Sequence, residues 1–113
     1  PIQRDIVAVG ASAGGLEALQ TLLSSLPHDF PGTLLVVLHQ PPHSPRLLAP
    51  ILQTRCPVRV EYAQDNAPIQ AGHIYLAPPD YHLLVENKRL RLVRGPKENF
   101  SRPAIDPLFR SVA

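Results

Sequence analysis

The sequence holds a single cysteine, Cys56, so it forms no internal disulfide, and that scarcity fits a reducing compartment. Its longest run of strongly apolar residues is Leu34 to Leu38, far below the ~20 needed to cross a bilayer. No basic start leads into an apolar signal region. A cytoplasmic chain with no membrane insertion is the expectation. Excess charge is scarce too: 11 Lys+Arg against 9 Asp+Glu leave a formal +2, too little to argue for nucleic acid. No internal repeat or low-complexity tract is present.

What remains reads as one globular domain. The 113 residues are 44% hydrophobic, enough for one core and hardly for two. Fourteen prolines, well above the usual ~5%, lie between apolar runs and punctuate the fold. The positive charge is uneven, since Lys88, Arg89, Arg91, Arg94 and Lys97 cluster with no interleaved aromatic. A solvated hairpin face and a docking patch for an acidic partner are both open readings.

Asp5 to Val9 reads as a strand buried on both faces, ending at Gly10. Leu16, Leu19, Leu22, Leu23 and Leu26 recur at helical steps, predicting an amphipathic helix over 16–26 closed by Pro27. Thr33 to Leu38 is a second buried strand ending at His39. Such a strand–helix–strand unit is nearly always a right-handed parallel crossover. Ser44 as N-cap and Pro45 as first residue predict a second helix to about Thr54, kinked at Pro50. Val58 to Tyr62 and Ile74 to Ala77 read as further strands, and 82–93 as a β-hairpin around Asn87-Lys88. Asp106-Pro107 predicts the start of a last helix. The fold class expected is α/β: a doubly wound, mostly parallel sheet with helices on both faces and an antiparallel hairpin near the site, a Rossmann-like three-layer sandwich.

The chemistry centres on Gly10-Ala11-Ser12-Ala13-Gly14-Gly15, where the first strand turns into the first helix. Small residues around Ser12 permit a sharp turn exposing its hydroxyl at the carboxyl edge of the sheet, as in a nucleophile elbow. Backbone N–H groups of Ala13 and its neighbours Gly14 and Gly15 would face an oxyanion there. A phosphate-binding turn or a merely tight turn are the alternatives. The dinucleotide version is weakened because Ser12 stands where a glycine is needed, and because His39 rather than an acid ends the second strand. No Walker lysine follows the glycines. His39 emerges at the same edge as Ser12, so it is either a general base in reach of the hydroxyl or a strand-end histidine bonded to backbone. None of the five aspartates, Asp5, Asp29, Asp65, Asp80 and Asp106, stands out as a triad acid. The histidines have no finger-like spacing, so no metal and no cofactor is expected.

VAVGASAGGLEALQ at 7–20, VVLHQPP at 36–42, IYLAPPDYHLLVE at 74–86 and RPAIDPLFRS at 102–111 together resemble the catalytic domain of the chemotaxis protein-glutamate methylesterases (CheB). The resemblance runs in order along nearly the whole chain. It implies a serine hydrolase that demethylates glutamate esters on chemoreceptor cytoplasmic helices and in many members deamidates glutamines. Ser12 matches the family's nucleophile and His39 its histidine. The family's third residue is an aspartate in a later L-T-G-x-G-x-D-G segment that does not occur before Ala113, and Asp106 should not inherit its role. The usual amino-terminal receiver domain is also absent from the 113 residues. The expectation is that 1–113 form the N-terminal portion of such a catalytic domain. The alternative is a non-catalytic receptor-binding or regulatory module of a larger sensory protein.

Overall fold

The computed structural model describes residues 6–11, 15–40, 45–94 and 105–112. Strand β1 (Ile6–Ala11) leads through helix α1 (Leu16–Ser24) to strand β2 (Thr33–Leu38); helix α2 (Leu48–Gln53) precedes strands β3 (Arg59–Tyr62) and β4 (His73–Leu76). A hairpin of β5 (His82–Glu86) and β6 (Arg89–Val93) follows, then helix α3 (Ile105–Val112). The first four strands make one parallel sheet in the order β1-β2-β4-β3, and β5 pairs antiparallel with β6. The expected α/β architecture is therefore the observed one.

The pleat of β2 sorts the layers, because alternate side chains leave a strand on opposite faces. Every residue of β2 is buried. Leu34, Val36 and Leu38 join a core with Leu19 and Leu23 of α1 and Leu48, Ala49 and Leu52 of α2. Leu35 and Val37 face the other way, onto Leu83 and Leu90 of the hairpin and Leu108 of α3. Helices thus cover both faces, with the hairpin sharing the layer of α3. β1 departs from its expectation: it is only partly buried, with Val7 47% exposed, because β2 is its one strand neighbour among the described residues.

α1 and α2 carry the chain across the sheet in one direction on one face. The return from β3 to β4 runs the opposite way, and a right-handed connection must then use the opposite face. Ala63, Ala67 and Ile69 of that return lie in the second core. The hairpin holds this irregular segment like an added strand: Asn66 N–H donates to Leu90 O (2.7 Å), and Leu90 N–H donates to Ala67 O (2.8 Å). The Asp65 carboxylate accepts from Arg91 Nε (3.1 Å) and from Leu92 N–H (3.0 Å).

Much of the basic cluster is spent in this way. Arg91 also reaches Glu86 (3.1 Å), Arg89 donates to Asn66 O (2.9 Å), and Arg94 pairs with Asp80 (3.2 Å). Lys97 lies outside the described residues.

α2 differs from its expectation. Ser44 lies outside the described residues, and the helix starts at Leu48, with Leu47 as N-cap and no side-chain cap on its own segment. Instead the Tyr62 hydroxyl accepts the Leu48 N–H at 3.0 Å, a cap supplied by β3. Pro50 consequently falls in the first turn, where its missing N–H has no helical acceptor to lose, so the expected kink has no cause. α1 closes at Ser24 rather than Leu26, with the Ser24 and Ser25 hydroxyls donating back to Thr21 O and Leu22 O. α3 begins at Ile105, which puts Asp106 and Pro107 in its first turn rather than at the cap.

Candidate active site

The carboxyl edge of the sheet is a continuous hydrogen-bonded row. β1 and β2 end in register, with Ala11 opposite Leu38. The ladder runs one residue further, since His39 N–H donates to Ala11 O at 3.3 Å. Ala77 N–H donates to Val36 O (2.9 Å) and Ala63 N–H to Leu76 O (2.9 Å), so the ends of β4 and β3 extend the same row. His39 is thereby fixed by its backbone at the edge beside the end of β1, with its side chain exposed.

Gly15, the N-cap of α1, comes close enough to β1 that a Cβ there would lie 3.2 Å from the Ala11 Cβ. The helix start therefore lies against the strand end. The close approach, rather than its φ of −90°, is what favours a glycine there. Glu17 in the first turn complements the positive end of the helix dipole. Ser12, Ala13 and Gly14 lie outside the described residues.

Two features of this edge were not read from the sequence. Gln40, directly after His39, buries its Nε2 without a hydrogen-bond partner among the described residues. A buried, unpaired donor costs about 1–3 kcal/mol, which makes this amide a conspicuous polar group at the edge. The second feature is Asp80, held at a φ of +71° just past β4. Arg94 pairs with it and lies 4.8 Å over the Tyr81 ring, joining the open end of the hairpin to the loop after β4.

The other candidate carboxylates are placed elsewhere. Asp29 precedes β2 and so belongs to the amino edge, and Asp65 is committed to the hairpin. Asp5 is outside the described residues, and the Asp106 side chain is not described. His73 Nε2 lies 3.7 Å from Glu61 at the start of β4, and His82 is buried at the start of β5. Among the described residues no three His, Cys, Asp or Glu side chains gather as a metal site.

An open parallel sheet that brings His39 and the Gly15 start of α1 together at its carboxyl edge defines an α/β domain with its candidate site at that edge. The chain belongs to the CheB methylesterase family, whose model matches residues 7–113. A protein-glutamate methylesterase/protein-glutamine glutaminase of Rhodospirillum rubrum is 44% identical over 115 residues, covering 96% of this chain and 30% of that protein. One from Methanosarcina mazei is 40% identical, covering 97% of this chain and 32% of its own. The crystal structure of the Thermotoga maritima CheB methylesterase catalytic domain superposes with a TM-score of 0.89 at 33% identity, covering 96% of this chain and 59% of that one. The chain thus spans about a third of the curated relatives it matches.

Proposed function

We propose that this domain carries the nucleophile and general base of a protein-glutamate methylesterase acting on glutamate methyl esters of chemoreceptor cytoplasmic helices, with glutamine deamidation as a related activity. The supporting observation is the paired ending of β1 and β2, with the His39 N–H on Ala11 O. Ser12 is joined directly to Ala11, and neighbouring strands run ~4.8 Å apart, so a Ser12–His39 hydrogen bond is within reach.

In this reading the Ser12 hydroxyl attacks the ester carbonyl while His39 takes its proton, and N–H groups of Ala13 to Gly15 hold the oxyanion. The carbonyl–methoxy bond then breaks, His39 returns the proton, and methanol leaves. Water, deprotonated by the same imidazole, hydrolyses the acyl-enzyme and frees the glutamate and Ser12. No cofactor or metal takes part. The aspartate that orients His39 is proposed to lie in a part of the domain beyond Ala113, and the site of action is the cytoplasm, under a receiver domain outside these residues. The test is methanol release from a methylated receptor fragment. Ser12→Ala should abolish nearly all of it, and unchanged release would refute the assignment. His39→Ala should do the same, and release that it leaves unchanged would remove His39 from the role.

A second reading, a receptor-binding module without turnover, is favoured by one observation. Asp80, a carboxylate on the site's edge, is occupied by Arg94. Receptor binding without methanol release would select it.

A further inference from the structure

The loop between β4 and the hairpin contains a residue in an unfavourable backbone state. Asp80 has a φ of +71°. An aspartate is strained there, whereas a glycine would make the same turn freely. The side chain that Asp80 keeps pairs with Arg94 at 3.2 Å, and the Arg94 guanidinium lies 4.8 Å over the Tyr81 ring. The Asp80 side chain is 15% exposed and that of Arg94 59%, so the arginine covers the loop from its solvent side. The loop is tied into the core around this pair, since Pro78 and His82 are both buried.

Register places the loop beside the proposed base. Leu76 stands opposite Val36, and the Ala77 N–H donates to Val36 O at 2.9 Å, so 78–80 leave the sheet at the level where β2 gives way to His39. The faces agree as well. Leu35 and Val37 of β2, with Tyr75 and Ala77 at β4, belong to the core on the hairpin side. Alternation along β2, whose ladder continues to His39, sets the His39 side chain on that same side. Arg94 follows directly on Val93, the partner of His82 in the hairpin, so the ion pair bridges the open end of the hairpin to the loop that flanks the imidazole. Backbone strain of this kind persists where the surrounding structure holds it, and it collects at active sites.

We propose that the Asp80–Arg94 pair is a positioning element of the site: it fixes the 77–81 loop as the wall on the hairpin side of the His39 imidazole and keeps that ring aimed. This rests on the methylesterase reading and adds two residues to it. Neither touches the reacting atoms, and both act through the loop. A displacement of about 1 Å at a reacting group can cost roughly 100-fold in rate, so the effect belongs in kcat.

The test measures methanol release by the full-length enzyme from a short peptide bearing a glutamate methyl ester, with a thermal melt of each variant. Asp80→Gly relieves the backbone and removes the carboxylate, so the melt should hold while kcat falls about tenfold and KM stays within about twofold. Arg94→Ala should do the same, and the double variant should fall no further than either single one, because the pair acts as a unit. Asp80→Asn, which tolerates positive φ and keeps an acceptor for Arg94, should recover most of the rate. Wild-type kcat in Asp80→Gly overturns the proposal and leaves the aspartate a turn residue. Losses that multiply in the double variant overturn it too, as does a fall carried by KM alone, which would make the pair a substrate contact. If Asp80→Gly melts early, Arg94→Ala, at an exposed position, carries the same comparisons. Failure of the methylesterase reading looks different: the wild type itself releases no methanol. The pair is then judged on the NMR signals of the His39 imidazole, which Asp80→Gly should shift and which, if unchanged, overturn the proposal.

Discussion

Gln53 is the residue whose removal tests most directly how α2 is held. Among the described residues β3 ends the sheet, so its outward backbone groups have no strand there to pair with. In a parallel strand the C=O of one residue and the N–H of the second residue on point to the same side. Gln53 takes both: Nε2 donates to Val58 O (2.9 Å), and Oε1 accepts from Val60 N–H (2.8 Å). Nε2 also donates to Cys56 O (3.1 Å), closing the turn after α2. One amide side chain thus stands in for a neighbouring strand and covers the edge. Gln53→Ala removes all three bonds and leaves partly buried backbone groups poorly paired. Each bond is worth about 0.5–1.5 kcal/mol, so the expected loss is about 2–3 kcal/mol. For a domain of this size that lowers Tm by roughly 10 °C. Gln53→Glu keeps the acceptor for Val60 but sets a carboxylate against two carbonyls, and should do no better. Urea denaturation with an unchanged m-value is the assay. A loss below about 0.5 kcal/mol in Gln53→Ala would refute the edge-cover argument, since that is the scatter of ordinary surface substitutions.

Two further predictions concern the hairpin. The Asp65 carboxyl is held below its ordinary value, first by the Leu92 N–H and then by Arg91. A depressed folded value means the contribution is present above the ordinary carboxylate range and is lost as pH falls through the folded one. Protection factors of the Leu90 and Leu92 amides, corrected for the intrinsic pH dependence of exchange, should therefore fall on acidification, and Asp65→Asn should flatten that dependence; equal profiles would deny Asp65 the role. Asn87 and Lys88 have φ of 52° and 62°, the pattern of a type I′ turn. Lys88→Gly should raise stability by about 0.5–1 kcal/mol, read from the urea midpoint, because a lysine is strained at positive φ and glycine is not.

Local pattern made β2, α1 and the hairpin legible. Thr33–Leu38 coincides with its apolar run, and 82–93 folds around Asn87-Lys88. The elements that were misplaced depend on distant partners. The start of α2 is set by the Tyr62 hydroxyl, far along the chain, so a local Ser-Pro signal pointed to the wrong residue. The place of β4 between β2 and β3 follows from the return over the hairpin face, where Asp65, Asn66 and Ala67 find partners that sequence spacing does not announce. The ion-pair partners of the basic cluster were not legible for the same reason, since Arg91 and Arg94 meet Asp65, Glu86 and Asp80 only in three dimensions. At the site, the position of His39 was legible because a strand end fixes it. The buried Gln40 Nε2 beside it, without a partner among the described residues, depends on burial and was not.

These points bear on how α2 and the site are held apart in the proposed enzyme. His39 is held by the β1–β2 ladder, while α2 is anchored to β3 through Gln53 and Tyr62, at the far side of β4. The two anchorages share no side chain. Loosening α2 should therefore leave the imidazole in place. Gln53→Ala, assayed well below its lowered Tm in the full-length enzyme, should keep kcat for a short glutamate methyl ester near wild type. A marked fall in kcat would mean that α2 and the ladder move together.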